Sequence, residues 1–150
     1  MQDSSKRPKH WSNSHDRLHK KLLADPTLLP KETSLLLAIS GGQDSMALLG
    51  LLIDLTRIYN WKLHIWHGDH GWHNNSHVIA AELKSWCKTK NLSFVCERAN
   101  PEEVRNEADA RKWRYAKLAQ WIEHCSVSQQ SPIFTRVVTG HTGTDRAETF

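Results

Sequence analysis

Short apolar runs alternate along the chain with longer segments whose apolar residues recur at helical spacing. Residues 35–39 are apolar throughout and are followed by Ser40-Gly41-Gly42, a pattern typical of a strand buried on both faces. Residues 44–58 are rich in Leu, Met and Ala and predict a helix directly after the glycines. Further strands are predicted at 61–66, 94–96 and 134–139.

Three other helices are predicted, each with an apolar face. The first spans 15–23 and places Leu18, Leu22 and Leu23 on one side. The next begins near Ser76, a favourable N-cap, and stops at Asn91, which tolerates the left-handed conformation. The last spans 104–122, with a helical stripe made of Val104, Ala108, Tyr115, Ala119 and Ile122.

This alternation predicts an α/β fold, a doubly wound parallel sheet with helices on both faces. Pro26 and Pro30 interrupt the chain before the first strand, so residues 1–33 are predicted to form a basic leader with a short helix. Residues 34–150 are predicted to form the domain proper. The 150 residues have room for one such domain.

The composition favours a cytoplasmic protein with no membrane partner. No uninterrupted apolar run reaches the ~18 residues that a membrane helix needs, and the first residues lack the apolar stretch of a signal peptide. The three cysteines include no CxxC pair, which argues against a disulfide framework or a four-cysteine zinc site. The oligomeric state does not follow from the sequence.

The positive charge is concentrated at the start of the chain. The net charge is +4, and residues 1–24 alone carry six Lys or Arg against two Asp, which also gives +4. Such a leader could contact phosphate backbones. The alternative is a solvated tail followed by an amphipathic helix.

The strongest candidate for chemistry is the string Ser40-Gly41-Gly42-Gln43-Asp44-Ser45, between the first predicted strand and its helix. The glycines let the backbone approach a ligand closely, and the helix start adds unpaired N–H groups and a positive dipole end. This combination suits phosphate or pyrophosphate, with the hydroxyls of Ser40 and Ser45 as further donors. The string is neither a Walker A loop nor GxGxxG, and the alternative interpretation is a simple glycine turn with a serine cap.

Four motifs together resemble one enzyme family. SGGxDS after a buried strand resembles the pyrophosphate loop of the N-type ATP pyrophosphatases. Three further stretches resemble signatures of the lysidine synthases within that group, in the same order, over about residues 35–150. They are Asp69-His70-Gly71 with Ser76 beyond it, the segment 107–115 (EADARKWRY), and the segment 140–149 (GHTGTDRAET).

The resemblance implies an adenine-nucleotide α-hydrolase-like PP-loop fold, here the N-terminal part of a longer enzyme whose helix continues past Phe150. It implies an ATP-dependent ligase that adenylates the wobble cytidine of the CAU anticodon of tRNA(Ile) and joins free L-lysine to it. The implied cofactors are ATP and Mg²⁺. The residues that would carry this chemistry are Ser40, Gly41, Gly42, Gln43, Asp44, Ser45 and His70 for the nucleotide, Asp44 for the metal, and Asp145, Arg111 and Arg114 for catalysis.

Several alternatives stay open at the level of residues. Where the family pairs two aspartates, this chain has Thr144 before Asp145, and Arg146 replaces a glutamine. The change at Thr144 keeps open a nucleotide-binding module without catalysis. A tRNA thiolation enzyme, which shares the same loop, is the other competing function, although it would normally show CxxC pairs or a reactive cysteine. Arg111 and Arg114 could instead form an exposed ion-pair face with Glu107.

The histidines at 64, 67, 70 and 73 recur every third residue and could suggest a metal site. Residues three apart on a strand point to opposite faces, and partner cysteines at zinc spacing are missing from the sequence. The favoured interpretation is that these histidines lie at a strand end or in a loop.

Overall fold

The computed structural model describes residues 11–40, 42–71, 76–127 and 134–140, and the backbone of Ala147–Glu148. Within these ranges, helices and strands alternate from the first strand to the fourth, as the hydrophobic pattern predicts. The elements are α1 (Asn13–Ala24), β1 (Ser34–Ala38), α2 (Gln43–Tyr59), β2 (Lys62–Asp69), α3 (Ser76–Thr89), β3 (Ser93–Arg98), α4 (Glu107–Val127), β4 (Arg136–Gly140) and β5 (Ala147–Glu148).

The strands form one sheet in the order β3-β2-β1-β4-β5. The first four strands are parallel, with Leu37 in register with Ile65 on one side and Val138 on the other. The chain therefore builds outward from β1 to β3, and α4 then returns it to place β4 on the opposite side of β1. This reversal of strand order is the topological switch point where doubly wound folds bind ligands.

The chain segment near Phe150 differs from the sequence prediction. Ala147–Glu148 is not part of a continuing helix; it pairs with β4 as a two-residue antiparallel strand. The sheet is therefore mixed at this edge, although its four main strands are parallel. A two-residue strand carries almost no hydrophobic period by which a sequence could distinguish it from a helix.

Helices cover both faces of the sheet, which confirms the doubly wound prediction. Leu35, Leu37 and Ile65 face a large core that includes leucines of α1, α2 and α3. Leu36, Trp66 and Val137 face the other way, against Leu118 of α4. The middle of β1 is thus sealed on both sides, with Leu35, Leu36 and Leu37 at most 1 % exposed.

The helix ends follow local side-chain chemistry. Ser12 caps α1 in a capping box in which His15 takes the role usually held by Glu or Gln. Asn60 and Asn91 are both left-handed, at φ 54° and 57°, which confirms the predicted stop at Asn91. The N-cap prediction for Ser76 is wrong, because Ser76 is the first residue of α3 itself.

Two predicted helix faces are only partly confirmed. In α1, Leu22 is buried and Leu18 packs against the core, but Leu23 is 54 % exposed. His15 and His19 complete the buried side of this helix. In α4 the predicted stripe fails at Ala108 and Ala119, which are exposed. The helix buries a different stripe instead, which consists of Ala110, Trp113, Leu118 and Cys125.

Gly68 lets α4 lie close against the end of β2. A Cβ atom added there would lie 2.8 Å from Trp66, 3.0 Å from the Trp113 ring and 3.1 Å from Cγ of Arg114. The two tryptophan rings cannot swing aside cheaply in a packed core. Gly68 therefore sets the distance between the sheet and this helix.

We expect Gly68→Ala to lower the free energy of unfolding by about 1–3 kcal/mol, because the added methyl group overpacks this contact. Gly50→Ala is the matched control. It lies inside α2, where an added Cβ meets nothing within 4 Å, and should be neutral or stabilising by up to about 1 kcal/mol. Urea unfolding of both variants measures the difference, and equal stabilities would contradict the close-packing argument.

Candidate nucleotide-binding site

The candidate loop lies at the switch point of the sheet. It leaves the carboxyl end of β1, between β2 and β4, and leads directly into α2 at Gln43. The backbone N–H groups of the first turn of α2 have no partner within the helix. This end of α2 is therefore the positive end of a 17-residue helix, at the edge of the sheet where a ligand would bind.

Hydrogen bonds inside the loop fix its shape. The hydroxyls of Ser40 and Ser45 lie 3.0 Å apart, and the backbone N–H of Ser40 donates to Oγ of Ser45 at 3.2 Å. The N–H of Gly42 donates to Oγ of Ser40 at 3.2 Å. Ser45 is buried and donates to the carbonyl of Gly42. Both serines thus hold the loop together, which gives them a structural role beside the ligand role predicted for them.

Gly42 needs no positive φ. It is the N-cap of α2 at φ −74° and ψ 169°, which any residue adopts, so a substitution here would cause no backbone strain. A Cβ atom would meet only Oγ of Ser40, at 3.4 Å. A side chain here would therefore fit the protein, at the N-cap position where α2 begins.

Gln43 and Asp44 form the first turn of α2. Gln43 is exposed and Asp44 is half-buried. A carboxylate in this turn stabilises the helix, and it also places an oxygen ligand beside the predicted phosphate position. Within the described residues, no group of three His, Cys, Asp or Glu side chains could hold a metal ion on its own.

The end of β2 holds a buried carboxylate that sequence reasoning assigned no role. Asp69 is 2 % exposed and accepts hydrogen bonds from Nε of Arg98 at 3.1 Å and from the N–H of Gly71 at 3.0 Å. Burial raises its pKa, but the hydrogen bonds from Ser76, Gly71 and Arg98 outweigh burial and hold the pKa below its usual value. Asp69 is therefore ionised at neutral pH and ties β2 to β3 and to the start of α3.

The histidines occupy different surroundings. His64 lies in edge-on contact with Phe134 on the α4 side of the sheet. His67 is buried, and its Nδ1 lies 2.7 Å from the carbonyl oxygen of Ile39, the residue before the loop. His70 is half-buried and lies between Asp69 and Gly71, at the same edge of the sheet as the loop.

The two arginines of α4 differ in their surroundings. Arg114 is half-buried and packs against the end of β2, where its Cγ lies beside Gly68. Burial lowers the pKa of its guanidinium, which stays positively charged at neutral pH. Arg111 is exposed, and its guanidinium lies 5.6 Å from the centre of the Tyr115 ring. The structure thus brings Arg114, but not Arg111, against the strand end.

Two of the candidate site residues lie outside the described residues. Gly41 belongs to the loop, and Asp145 belongs to the segment that follows β4. β4 is the parallel neighbour of β1, with Thr139 in register with Ala38, so β4 itself ends at the loop's edge of the sheet. Residues 1–10 of the basic leader also lie outside the described part.

Comparison with known proteins assigns the family. A family model described as a PP-loop domain matches residues 12–150, and the chain belongs to this PP-loop domain family. Membership implies that the chain binds ATP. No helix in the described part of the chain is long and apolar enough to cross a membrane.

Particular relatives carry a more specific name. A tRNA(Ile)-lysidine synthase of Prochlorococcus marinus is 55% identical over all 150 residues of this chain, which cover 45% of that protein. A chloroplastic tRNA(Ile)-lysidine synthase of Pyropia yezoensis is 40% identical over 138 residues, which are 88% of this chain and 39% of that protein. The chain thus spans less than half the length of these curated relatives.

A solved structure shows the same fold. A U34-tRNA thiolase from Methanococcus maripaludis superposes with a TM-score of 0.61 over 85% of this chain and 44% of its own. The two sequences are 15% identical. This likeness supports the fold alone.

We expect Gly42→Ala to weaken ATP binding by about tenfold or more, because the methyl group occupies space that a phosphate needs beside the N–H groups. Titration calorimetry with ATP measures the affinity, and Gly50→Ala in the same helix is the control. Because the new Cβ meets only one hydroxyl, the thermal stability of Gly42→Ala should remain close to that of the parent. Unchanged ATP affinity would remove the loop from the binding site.

Proposed function

We propose that this chain is the ATP-binding part of an enzyme that converts the wobble cytidine of a CAU-anticodon tRNA(Ile) to lysidine. ATP activates the cytidine as an adenylate, and free L-lysine then displaces AMP. The observation that carries this proposal is the 55% identity, over all 150 residues, to a protein named tRNA(Ile)-lysidine synthase. The loop at the switch point supports the part of the proposal that concerns ATP binding.

The proposed reaction has two displacements. The oxygen on C2 of the cytidine attacks the α-phosphorus of ATP, and pyrophosphate leaves. The ε-amine of lysine then attacks C2, and the C–O bond to AMP breaks while the amine loses its proton. In the first displacement, the loop N–H groups and the positive end of α2 stabilise the charge on the departing pyrophosphate.

Asp44 fits the role of the protein's ligand to Mg²⁺. Magnesium is commonly held by one or two carboxylates together with substrate phosphates, rather than by a cage made only of protein. A single carboxylate in the first turn of α2 matches that requirement. When bound, Mg²⁺ would neutralise negative charge on the phosphates during attack.

We assign the catalytic positive charge to Arg114 rather than to Arg111. Arg114 is held against the strand end beside Gly68, whereas Arg111 lies exposed on Tyr115. A partly desolvated guanidinium interacts more strongly with a phosphate than one surrounded by water. His70 lies at the same edge and is assigned to the nucleotide.

We expect Arg114→Met to lower kcat/KM for AMP release by about 100-fold, because it removes a charge that stabilises the transition state and keeps the side chain's packing. Arg111→Met is the matched control on the same helix, and should stay within about threefold of the parent, since solvent screens exposed charges. Equal losses in both variants would contradict the distinction between them.

Asp145 is assigned as the catalytic carboxylate. Asp145 follows β4 in the sequence, and β4 is the parallel neighbour of the strand that leads into the loop; doubly wound folds bind ligands beyond such strand ends. The described residues contribute Asp44 at this edge, so a second carboxylate would complete the charge pattern that phosphoryl chemistry with Mg²⁺ uses.

We expect Asp145→Ala, in a protein of the relatives' length, to lower lysine-dependent AMP release with tRNA(Ile) by about 100-fold or more, with little change in ATP affinity. The reason is that a group acting in the transition state contributes little to ground-state binding. Asp25→Ala, at an exposed site after α1, is the control. Unchanged turnover would remove Asp145 from the mechanism.

The cysteines do not support the thiolation alternative. Cys87 is buried in α3, and burial raises the pKa of its thiol to about 11, so it is a poor nucleophile. Cys125 is buried in α4, and burial also raises the pKa of Cys96 on β3. Sulfur transfer to tRNA in place of lysine incorporation would favour thiolation, and ATP binding without turnover would favour a non-catalytic module. A cytoplasmic location remains part of the proposal.

A further inference from the structure

His67 makes a contact that the proposed reaction does not use. The backbone N–H of Ile39 donates to the carbonyl of Trp66 at 2.9 Å, which extends the pairing of β1 and β2 one residue beyond β1. The carbonyl of Ile39 is then bound by a side chain, Nδ1 of His67, at 2.7 Å. The next residue, Ser40, begins the loop.

This contact defines the tautomer of the His67 ring. A carbonyl oxygen can only accept, so Nδ1 of His67 carries the proton and donates it. The ring is 3 % exposed. Burial lowers the pKa of His67 and so does the charge of Arg114 on α4, while the bond to Ile39 and the charge of Asp69 on β2 act in the opposite direction. At neutral pH the ring is uncharged with Nδ1 protonated.

We propose that His67 is a positioning residue for the loop at 40–45. It holds the Ile39 carbonyl at the point where β1 leaves the sheet, and so sets the direction in which the loop N–H groups point. Within the described part of the loop, Ser40, Gly42 and Ser45 also bond to one another. The bond from His67 is thus an anchor from a neighbouring strand.

The effect of this anchor on the ligand rests on the proposed function, because it assumes that the loop N–H groups bind the phosphates of ATP. Its effect on the loop itself does not. The first experiment therefore measures the loop without ATP, and the second measures binding.

The test compares two substitutions of nearly equal size. His67→Asn keeps an N–H donor close to the position of Nδ1, whereas His67→Leu removes the donor and leaves a buried carbonyl without a partner. Amide hydrogen exchange is measured for residues 40–45 in the ligand-free protein. Amides of Leu36 and Leu37 in the centre of β1 serve as the internal reference for global unfolding.

We expect His67→Leu to speed exchange in the loop about tenfold or more relative to the reference amides, the size expected for a buried carbonyl that loses its donor. His67→Asn should stay within about threefold of the parent, since the donor is restored. Equal acceleration of the loop and of Leu36 and Leu37 would show a purely global effect and overturn the proposal. Unchanged loop exchange in His67→Leu would also overturn it.

Binding provides the second readout. His67→Leu should lower the affinity for ATP about tenfold. Adenosine has no phosphates for the loop to hold, so its affinity should equal that of the parent. An equal loss for ATP and adenosine would overturn the positioning role. If the parent bound no ATP although His67→Leu loosened the loop, the ATP assignment would fail and the anchor would stand.

His67→Gln covers the case in which His67→Leu does not fold. Its amide donor lies one bond further from the backbone, so it fills the space but reaches Ile39 poorly. We expect loop exchange between that of the parent and about tenfold faster. Parent-like exchange in His67→Gln together with unfolded His67→Leu would assign His67 to general stability and overturn the proposal.

Discussion

The sealed central strand is the constraint on which the rest of the molecule depends. Leu35, Leu36 and Leu37 pack into helices on both sides, so β1 cannot slide along its axis without withdrawing a leucine from a packed core. The position where β1 ends is therefore determined by the core. Because β2 and β4 flank it in parallel, whatever follows β1 emerges between two other strand ends. A phosphate-binding loop placed there needs no further device to bring it into a cleft.

Electrostatics at this edge follow from the same arrangement. The positive end of α2 and the guanidinium of Arg114 favour an anion. Asp69, the buried anion close by, does not cancel them, because Arg98 and two further donors already satisfy it. The proposed magnesium ligand, Asp44, is a separate carboxylate in the first turn of α2.

The sequence predicts the parts of this structure that depend on strong local signals. The wholly apolar run of β1 and the glycines after it locate the central strand and the loop, and Asn91 marks a helix end correctly. The face of α4 is predicted wrongly because its stripe included Ala108 and Ala119, whose single methyl groups cost little when exposed. The buried side is set by Trp113 and Leu118.

Contacts between distant residues account for what sequence reasoning misses at the site. No local pattern distinguishes Arg114 from Arg111, since only the close approach of α4 to Gly68 brings one of them to the sheet. The same holds for Asp69 and His67. Asp69 and Arg98 are 29 positions apart in the sequence, and His67 and Ile39 are 28 positions apart. One sequence signal could have pointed to His67: it is a histidine near the end of a predicted buried strand, and a buried imidazole must find a hydrogen-bond partner.

Three consecutive residues at the end of β2 each contact a different part of the domain around the loop. His67 holds the carbonyl that precedes the loop, Gly68 admits α4 with Arg114, and Asp69 binds the start of α3 and the end of β3. Successive strand residues point to opposite faces, so three neighbours can reach elements on both sides of the sheet. These three contacts place one short strand segment between the loop, α4, β3 and α3. The loop's own serine hydrogen bonds fix its internal shape, and the bond from His67 ties that shape to the sheet.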